Sequence, residues 1–255
     1  MPNPIASLAD SMRRLLDRGT IIGVPDARRL YAVGDIHGCA EQLERLTAAI
    51  VRDSQNAPGP CTILYLGDYV DRGPDTKAVI NKLLSPPAGF GTVYLRGNHD
   101  QILLDFLTEP SIYQAWRDFG ARETLMSYGV RPPRFEDESL YREARDQLLE
   151  ALPADHLKFL SSLQPSARIG GYFFAHAGVR PGIALEKQTL EDLLWIRDEF
   201  LESSTNFGII VVHGHTPSER PVRQFNRIGV DTGAYATGRL TAAVLEGGTC
   251  RFLQT

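Results

Sequence analysis

Residues 62–74 read Thr-Ile-Leu-Tyr-Leu-Gly-Asp-Tyr-Val-Asp-Arg-Gly-Pro, and they carry the most informative pattern in the sequence. Its apolar run is too short for a helix and is rich in strand formers, so it predicts a buried strand that ends at Gly67. The strand then delivers Asp68 at its C-terminal end, with Asp71 and Arg72 close behind. Because open α/β sheets place their sites beyond the carboxyl ends of their strands, we expect a functional site here.

Two further stretches repeat this design. Residues 30–33, Leu-Tyr-Ala-Val, run into Gly-Asp-Ile-His-Gly at 34–38. Residues 92–95, Thr-Val-Tyr-Leu, run into Arg-Gly-Asn-His-Asp at 96–100. The predicted strand ends therefore present carboxylates, an amide and imidazoles, which are ligand types that suit divalent metals.

The composition is that of an ordinary globular protein. The chain has 255 residues, 43% of them hydrophobic and 23% charged, which suits one large α/β domain or one domain with an insertion. A formal charge of -4 gives no basic footprint for a nucleic-acid backbone, so we expect no nucleic-acid partner. No apolar run approaches the roughly 18 residues of a membrane span, so we expect no membrane partner either.

The N-terminal residues and the cysteines bear on localisation. Apolar residues at helical spacing within residues 1–29, interrupted by charges, predict an amphipathic helical extension rather than a signal peptide. Three cysteines in no paired spacing indicate a reduced compartment, so we expect the protein in the cytoplasm. Cys39 and Arg45 fit the C-x5-R spacing of cysteine-dependent phosphatases, but helix formers carrying two acids separate them, which disfavours a phosphate-binding loop.

The remaining pattern places these motifs on a single domain over residues 1–255. Apolar residues at helical spacing up to Asp53, and again at 75–84, separate the three strands and predict parallel βαβ units. Residues 101–167 then read as a helical insertion on the rim of the sheet that would serve as a lid. Its predicted helices are 101–107, 111–128, 141–152 and 154–163, and the strands predicted after it are 168–175, 208–212, 229–231 and 240–245.

The motifs gain weight from their recurrence. In the 34–38 motif, Asp35 and His37 are two residues apart, so an extended chain sends both side chains to the same side. Alone, such a pair is as often a hydrogen-bonded pair as a metal site, and Asp68 or Asn98 alone would be a turn residue. Because motifs of this kind recur at several strand ends, a metal centre is the better interpretation.

As an ordered set, the motifs resemble those of a known family. GDIHG (34–38), GDYVDRG (67–73), RGNHD (96–100), HAG (176–178) and GHTP (214–217) are similar to the motifs of the phosphoprotein phosphatases among the calcineurin-like metallophosphoesterases, especially the bacterial and phage serine/threonine phosphatases. The resemblance implies an α/β sandwich of two mixed β-sheets flanked by helices. Its eukaryotic members usually have Glu in place of Asp100 and HGG in place of HAG, and both changes are familiar in bacterial members.

The resemblance also implies a binuclear metal centre. One metal would be held by Asp35, His37 and Asp68, and the second by Asp68, Asn98, His176 and His215, with Asp68 bridging. Two divalent ions less two carboxylates leave a charge of +2, which suits a phosphate dianion and favours a bridging hydroxide as the nucleophile. The ligands favour Mn²⁺, and the histidines also admit iron or zinc.

Further roles follow from the same resemblance. His99 matches the general acid of the family, and Asp71 would orient its ring and hold it protonated. The alternative for this pair is a purely structural contact. Arg72 and Arg197 would bind phosphate oxygens, although Arg197 could equally pair with its neighbours on a surface helix. Apart from the resemblance, their positions in the sequence suggest that His213 and Asp231 support the ligands, that Arg96 is structural or supports them too, and that His156, in the insertion away from every motif, is structural.

The sequence leaves the substrate open. The leading interpretation is a dimetal phosphomonoesterase for phosphoserine and phosphothreonine, with phosphotyrosine as a further substrate, and the alternative is a hydrolase of dinucleoside polyphosphates such as the symmetrical tetraphosphates. A phosphate-binding scaffold without catalysis is disfavoured because the ligands, the acid and an arginine are all present. A nuclease is disfavoured because Pro217 stands where a GHxH motif has its second histidine.

Overall fold

The first sheet carries the three predicted strands in register. The structure is a computed structural model that describes residues 23–24 and 27–255. In the first sheet β1, β2 and β3 are parallel, and β9 and β10 continue it antiparallel on the other side of β1, in the order β10-β9-β1-β2-β3. These strands are Arg29–Val33, Cys61–Tyr65, Phe90–Tyr94, Thr241–Glu246 and Thr249–Gln254. Since Val33, Tyr65 and Tyr94 share one register row, the loops that follow them meet at one edge.

The second sheet repeats this arrangement with mixed strands. Its order is β4-β5-β6-β8-β7, in which β5, β6 and β8 are parallel and the two edge strands run antiparallel to their neighbours. These strands are Ser166–Ile169, Tyr172–Ala175, Ile210–His213, Val222–Arg223 and Arg227–Gly229. The predicted architecture of two mixed sheets is therefore confirmed.

Alternation along β1 shows how the sheets pack. Leu30 and Ala32 lie in an apolar layer that also contains Phe174 and Val212 of the second sheet. Tyr31 and Val33, which alternate with them, face the opposite way, into a core shared with the helices. The strands β1, β2 and β9 are thus buried on both faces, between the second sheet and the helices, which explains their nearly continuous apolar sequences, whereas the edge strands β3 and β10 are partly exposed.

Helices cover the outer faces and build the insertion. The described helices are α1 (Ala40–Ser54), α2 (Thr76–Leu83), α3 (Asn98–Thr108), α4 (Tyr113–Trp116), α5 (Ala121–Ser127), α6 (Glu138–Ala151), α7 (Ala154–Ser161), α8 (Leu190–Trp195), α9 (Asp198–Leu201) and α10 (Ala234–Thr237). Helices α3 to α7 form the region predicted as a helical insertion. In the described part of the chain, no helix combines the length and apolar character that a membrane crossing requires.

The prediction of one helix over 111–128 is wrong. The chain there forms 3₁₀ turns at Pro110–Ile112 and Arg117–Phe119 around α4, and a new helix, α5, begins after Gly120. Gly120 has φ 105°, and a Cβ at this position would lie 2.5 Å from the backbone nitrogen of Arg72. The helix therefore breaks where the insertion meets the loop that follows β2, at a contact that only glycine permits.

The later strands also differ in part from the prediction. Residues 168–175 form a hairpin of β4 and β5 rather than one strand, because Gly170 turns the chain with φ 57°. The short edge strand β7 and the C-terminal strand β10 were not predicted. The expected N-terminal helix falls mostly on residues 1–22, outside the described residues.

Candidate functional site

The loops after β1, β2 and β3 meet those after β5 and β6 at one edge of the sandwich. The six residues predicted as metal ligands all lie there, and each is at most 5% exposed: Asp35, His37, Asp68, Asn98, His176 and His215. The register of both sheets brings these strand ends together. The structure therefore joins into one buried cluster side chains that are up to 180 residues apart in the chain.

Asp68 lies at the centre of this cluster. Its Oδ2 is 3.4 Å from Nε2 of His37 and 3.5 Å from Nε2 of His176. His215 places Nδ1 at 3.1 Å from His176 Nε2. The side chains form two groups, and within each group the ligand atoms lie within 4.8 Å of one another. One group is His37, Asp68 and His99, and the other is Asp68, His176 and His215. Asp68 belongs to both groups, as a bridging residue requires.

The histidines present lone pairs to this centre. Nδ1 of His37 lies 2.8 Å from the carbonyl of Val70, and Nδ1 of His176 lies 2.9 Å from the carbonyl of Leu66. Because a carbonyl only accepts, Nδ1 carries the proton in both rings and Nε2 is left as an acceptor. Burial lowers the pKa of His37 to about 3 and also lowers the pKa of His176, so both rings are neutral at pH 7.

Several acceptor atoms of the cluster face one another with no hydrogen between them. His176 Nε2 faces the Asn98 amide oxygen at 2.9 Å as well as the Asp68 carboxylate. Nε2 of His215 is buried and finds no hydrogen-bond partner among residues 23–24 and 27–255. Converging oxygen and nitrogen acceptors, with the Nδ1 protons of His37 and His176 held by backbone carbonyls, are what a divalent cation needs. The donor set of this cluster fits divalent metal ions.

Asp35 lies beside the two groups rather than within them. Its carboxylate oxygens accept hydrogen bonds from the backbone nitrogen of His215 at 3.1 and 3.2 Å. Burial and the negative charges of Asp231 and Asp68 raise the pKa of Asp35 well above its ordinary value. Burial likewise raises the pKa of Asp231 to about 6. Three neighbouring buried carboxylates are an unfavourable arrangement that positive charge would stabilise.

The loops that carry these side chains adopt unusual backbone angles. Positive φ values occur at His37 (45°), Asp68 (53°), Asp71 (70°), Arg72 (64°) and His215 (63°). Non-glycine residues rarely adopt this left-handed region, and such residues cluster at functional sites, where the surrounding structure holds them. One such support is Asp100, whose carboxylate accepts hydrogen bonds from the backbone nitrogens of Asp68, Tyr69 and Gly97.

His99 and Asp71 form a buried pair next to Asp68. His99 Nδ1 lies 2.8 Å from Asp71 Oδ2, and its Nε2 lies 3.9 Å from Asp68 Oδ2. Arg72 places a guanidinium nitrogen 3.2 Å from the same Nε2. Burial alone would lower the pKa of His99, but the charge of Asp68 and the hydrogen bond to Asp71 raise it above its ordinary value. The ring is therefore held in one orientation, with Nε2 toward the cluster.

Family comparison decides the class of the protein. A sequence model described as calcineurin-like phosphoesterase matches residues 28–243, most of the chain. The chain belongs to this family. The match covers the first sheet as far as Ala243, the insertion and the second sheet, so it includes the whole buried cluster.

Individual relatives of this phosphoesterase carry different names. It is 25% identical to a bis(5'-nucleosyl)-tetraphosphatase PrpE (asymmetrical) of Anoxybacillus flavithermus over 82% of its chain and 87% of the relative. It is 28% identical to serine/threonine-protein phosphatase 1 of Salmonella typhimurium over 86% of its chain and 93% of the relative. A crystal structure of a candidate diadenosine tetraphosphatase superposes with a TM-score of 0.62 at 25% identity, covering 91% of this chain and 95% of the other.

The predicted arginines occupy two sides of the cluster in this phosphoesterase. Arg72 is half-buried, and its guanidinium carbon lies 4.7 Å from the ring centroid of Tyr235. Arg197 is exposed and reaches the hydroxyl of Thr216, the residue after His215, at 3.4 Å. Its charge lies close enough to contribute to the lowered pKa of His215, which burial chiefly causes. Both side chains therefore border the cluster.

Three aromatic side chains that the sequence did not single out surround the same cluster. The ring centroid of Tyr235 is 5.4 Å from that of His37, and Trp195 lies 6.2 Å from His215. Phe119 packs edge-on against the ring of the general-acid candidate at 5.6 Å and against Trp195 at 6.0 Å. Tyr235 is 41% exposed and Trp195 37%, so both residues are partly open to solvent.

Cys39 and His156 lie outside the ligand cluster, and Asp231 supports it. Cys39 is buried, donates to the carbonyl of His37, and has its pKa raised to about 11 by burial, so it is not a nucleophile. His156 bonds Tyr128 and Asn81 far from the motifs, as expected of a structural histidine. Asp231 accepts a hydrogen bond from the backbone of Gly233, which fits the predicted bracing role.

Proposed function

We propose that this phosphoesterase is a metal-dependent hydrolase that cleaves the phosphoanhydride bonds of dinucleoside polyphosphates. The observation that carries this proposal is the position of the exposed rings of Tyr235 and Trp195, on two sides of the buried cluster. Aromatic faces stack on nucleobases regardless of base identity, and a dinucleotide offers two bases. The likeness to a named tetraphosphatase over most of both chains supports the same substrate class.

The cluster is the proposed site of two divalent ions, most suitably Mn²⁺. Asp35, His37 and Asp68 would hold one ion, and Asp68, Asn98, His176 and His215 the other. When bound, such ions lower the pKa of water and neutralise phosphate charge. The oxygen-rich first set favours a hard ion, and the imidazoles of the second also accept iron or zinc.

The chain's own residues then bind substrate and move a proton. Arg72 and Arg197 lie on two sides of the cluster, where their guanidinium groups would hold phosphate oxygens. His99 would donate a proton from Nε2 to the oxygen of the departing nucleotide. Asp71, bonded to Nδ1 at 2.8 Å, would keep the imidazole in the required orientation.

The test is a comparison of kcat/KM for the manganese-loaded protein on diadenosine tetraphosphate and on phosphoserine, phosphothreonine and phosphotyrosine peptides. We expect the dinucleotide to be the best substrate. Its products, followed by chromatography, report the bond that is cleaved: two ADP indicate symmetrical cleavage, and ATP with AMP indicates asymmetrical cleavage. A phosphopeptide preferred by tenfold or more would overturn the proposal.

A matched pair of variants tests the aromatic contribution. Tyr235→Leu removes the ring, and stacking energies predict a rise in KM for the dinucleotide of about tenfold. Tyr235→Phe keeps the ring and is the control. An unchanged KM in Tyr235→Leu would show that this ring does not contact a base.

The second candidate is the phosphoprotein phosphatase that the sequence motifs favour. The specific observation for it is the likeness to the serine/threonine-protein phosphatase 1 of Salmonella typhimurium, which covers 93% of that relative. The same panel decides between the two substrate classes. Within this candidate, the ratio of phosphoserine and phosphothreonine to phosphotyrosine turnover defines its preference.

A further inference from the structure

Two side chains of the helical insertion bond the carboxylate of Asp71. Trp116 donates its indole N–H to Oδ2 at 2.8 Å, and Thr124 donates its hydroxyl to Oδ1 at 2.6 Å. The same Oδ2 accepts the hydrogen bond from His99 Nδ1. Asp71, Trp116 and Thr124 are all fully buried. The carboxylate that orients the proposed acid is therefore itself held by residues 45 and 53 positions away in the chain.

The hydroxyl of Thr124 is fully engaged in this contact. While it donates to Oδ1, it accepts from the backbone nitrogen of Asp71 at 2.8 Å and lies 3.2 Å from the hydroxyl of Thr76. A hydroxyl has one proton and two lone pairs, so these three contacts satisfy it completely. Thr124 thereby fixes both the backbone and the side chain of Asp71.

Ring packing and a hydrogen bond hold the Trp116 side chain in one orientation. Its ring packs against Phe106 with centroids 5.0 Å apart and against Tyr113 at 6.4 Å. Because an indole nitrogen only donates, the group it faces must accept, and the ring cannot serve as an acceptor for a rotated carboxyl. Trp116 therefore selects the rotamer of Asp71 that leaves Oδ2 on His99.

We propose that Trp116 and Thr124 are positioning residues for proton transfer, acting on His99 through Asp71. This inference rests on the proposed hydrolase function, in which His99 protonates the leaving oxygen. On this proposal the helical insertion takes part in catalysis as well as covering the site. Two further contacts of the insertion support this: Phe119 packs on the His99 ring, and Gly120 lies against the backbone of Arg72. If the carboxylate rotates, His99 loses its fixed orientation while the ligand cluster around Asp68 stays in place.

The first experiment uses a pair of substitutions at one position. Thr124→Val keeps the shape and removes the hydroxyl, whereas Thr124→Ser keeps the hydroxyl. We measure kcat on an alkyl phosphate, whose leaving group needs a proton, and on 4-nitrophenyl phosphate, whose leaving group needs little. Loss of the hydrogen bonds predicts that Thr124→Val lowers kcat by about tenfold more on the alkyl ester than on the aryl ester. Thr124→Ser restores the wild-type ratio.

A second measurement reads the imidazole directly. In protein labelled with ¹⁵N-histidine, the His99 signals are identified by their loss in His99→Asn. At a pH above the pKa of His99, where the ring is neutral, the wild-type protein shows the Nδ1-H form, and Trp116→Phe, which removes the donor but retains a ring, gives a mixture of Nδ1-H and Nε2-H forms. Leu148→Ala, a cavity in α6 away from Asp71, is the control for general loosening of the insertion and leaves the signals and the substrate ratio unchanged.

Different results would overturn the positioning role of Trp116 and Thr124 and the proposed hydrolase function. Equal losses on both esters in Thr124→Val, or a wild-type His99 signal in Trp116→Phe, would overturn the positioning role. A wild-type protein that hydrolyses neither ester nor dinucleotide in the presence of metal would instead overturn the proposed function. Metal content by elemental analysis is expected to be the same in Thr124→Val, Thr124→Ser, Trp116→Phe and Leu148→Ala, because these four variants change side chains outside the ligand cluster.

Discussion

The ligand cluster around Asp68 and the pair His99–Asp71 are neighbours that are held in place in different ways. In the cluster, backbone groups orient the side chains: carbonyls of Leu66 and Val70 fix the imidazoles. Side chains from a distant insertion hold the pair, through the carboxylate they share. The cluster is thus a product of the two sheets, and the pair is a product of the sheet and the insertion together.

This difference means that metal binding and proton transfer depend on different parts of the chain. Damage to the end of β3 should disturb both, because His99 follows Asn98 at the start of α3. Damage to the insertion should disturb proton transfer alone. Changes in each region, measured by metal content and by turnover, can therefore separate the two.

The largest effect is expected at the centre of the cluster. Because Asp68 belongs to both groups of ligand atoms, Asp68→Asn should lower metal content at both sites and reduce turnover by more than about 10⁴-fold. Elemental analysis and kcat measure the two effects. His37→Ala is the matched variant and should empty chiefly one site. Full turnover after exhaustive chelation would contradict the assignment of the cluster as a metal centre.

Substitution of the proposed acid should spare the metals. His99→Asn is expected to retain both ions but lose roughly 10²- to 10⁴-fold in turnover, the usual contribution of a general acid. The loss should be much larger on phosphoserine peptide than on an activated aryl phosphate, and Asp71→Asn should show the same trend more mildly. Equal losses on both substrates would indicate that His99 positions phosphate instead.

A cavity in the insertion should lower stability more than it changes chemistry. Leu148 is fully buried in α6, and Leu148→Ala should reduce the free energy of unfolding by about 2–5 kcal/mol. Urea unfolding of the metal-loaded protein measures this loss. Metal content at 25 °C should match the wild type, because the ligand loops belong to the sheets. A parallel fall in metal content would show that the insertion also supports the cluster.

The smallest effect concerns pH. Burial lowers the pKa of His156 in the folded protein, so the neutral ring is favoured there, whereas the unfolded chain takes up a proton near pH 6.5. This contribution to stability is present above pH 6.5 and is lost as the pH falls below it. The urea midpoint should therefore fall less between pH 7.5 and 5.5 in His156→Gln than in the wild type. An equal fall would show that other groups govern the dependence.

The sequence predicted the cluster because its signals are local. Each ligand follows a short apolar run, and the register of parallel strands within each sheet makes the strand ends coincide, whereas the assignment of each residue to a metal came from the family resemblance. It did not predict Trp116 or Thr124, since nothing beside either residue marks it as a partner of Asp71. A buried tryptophan does need an acceptor for its N–H, but the choice of acceptor is made by tertiary packing.

The same reasoning explains the errors in the fold. The spacing over 111–128 fits one helix, and only the approach of Arg72 to Gly120 requires the break. The missed strand β10 is a different case, because it pairs with β9 across the two-residue turn Gly247–Gly248, which is a local hairpin signal in the sequence. Where a contact between residues distant in the sequence determined the local structure, as at Gly120, the hydrophobic periodicity did not predict it.

The position of β1 has a consequence for synthesis. It lies between β2 and β9, and Arg29 bonds Glu246, 217 residues later, at 2.5 Å. On a ribosome, the nascent strand that leads into Asp35 and His37 has no partner on that side until β9 has emerged. Contacts between such distant positions form slowly. We therefore expect premature stop codons before β9 to yield chains that cannot complete the first sheet.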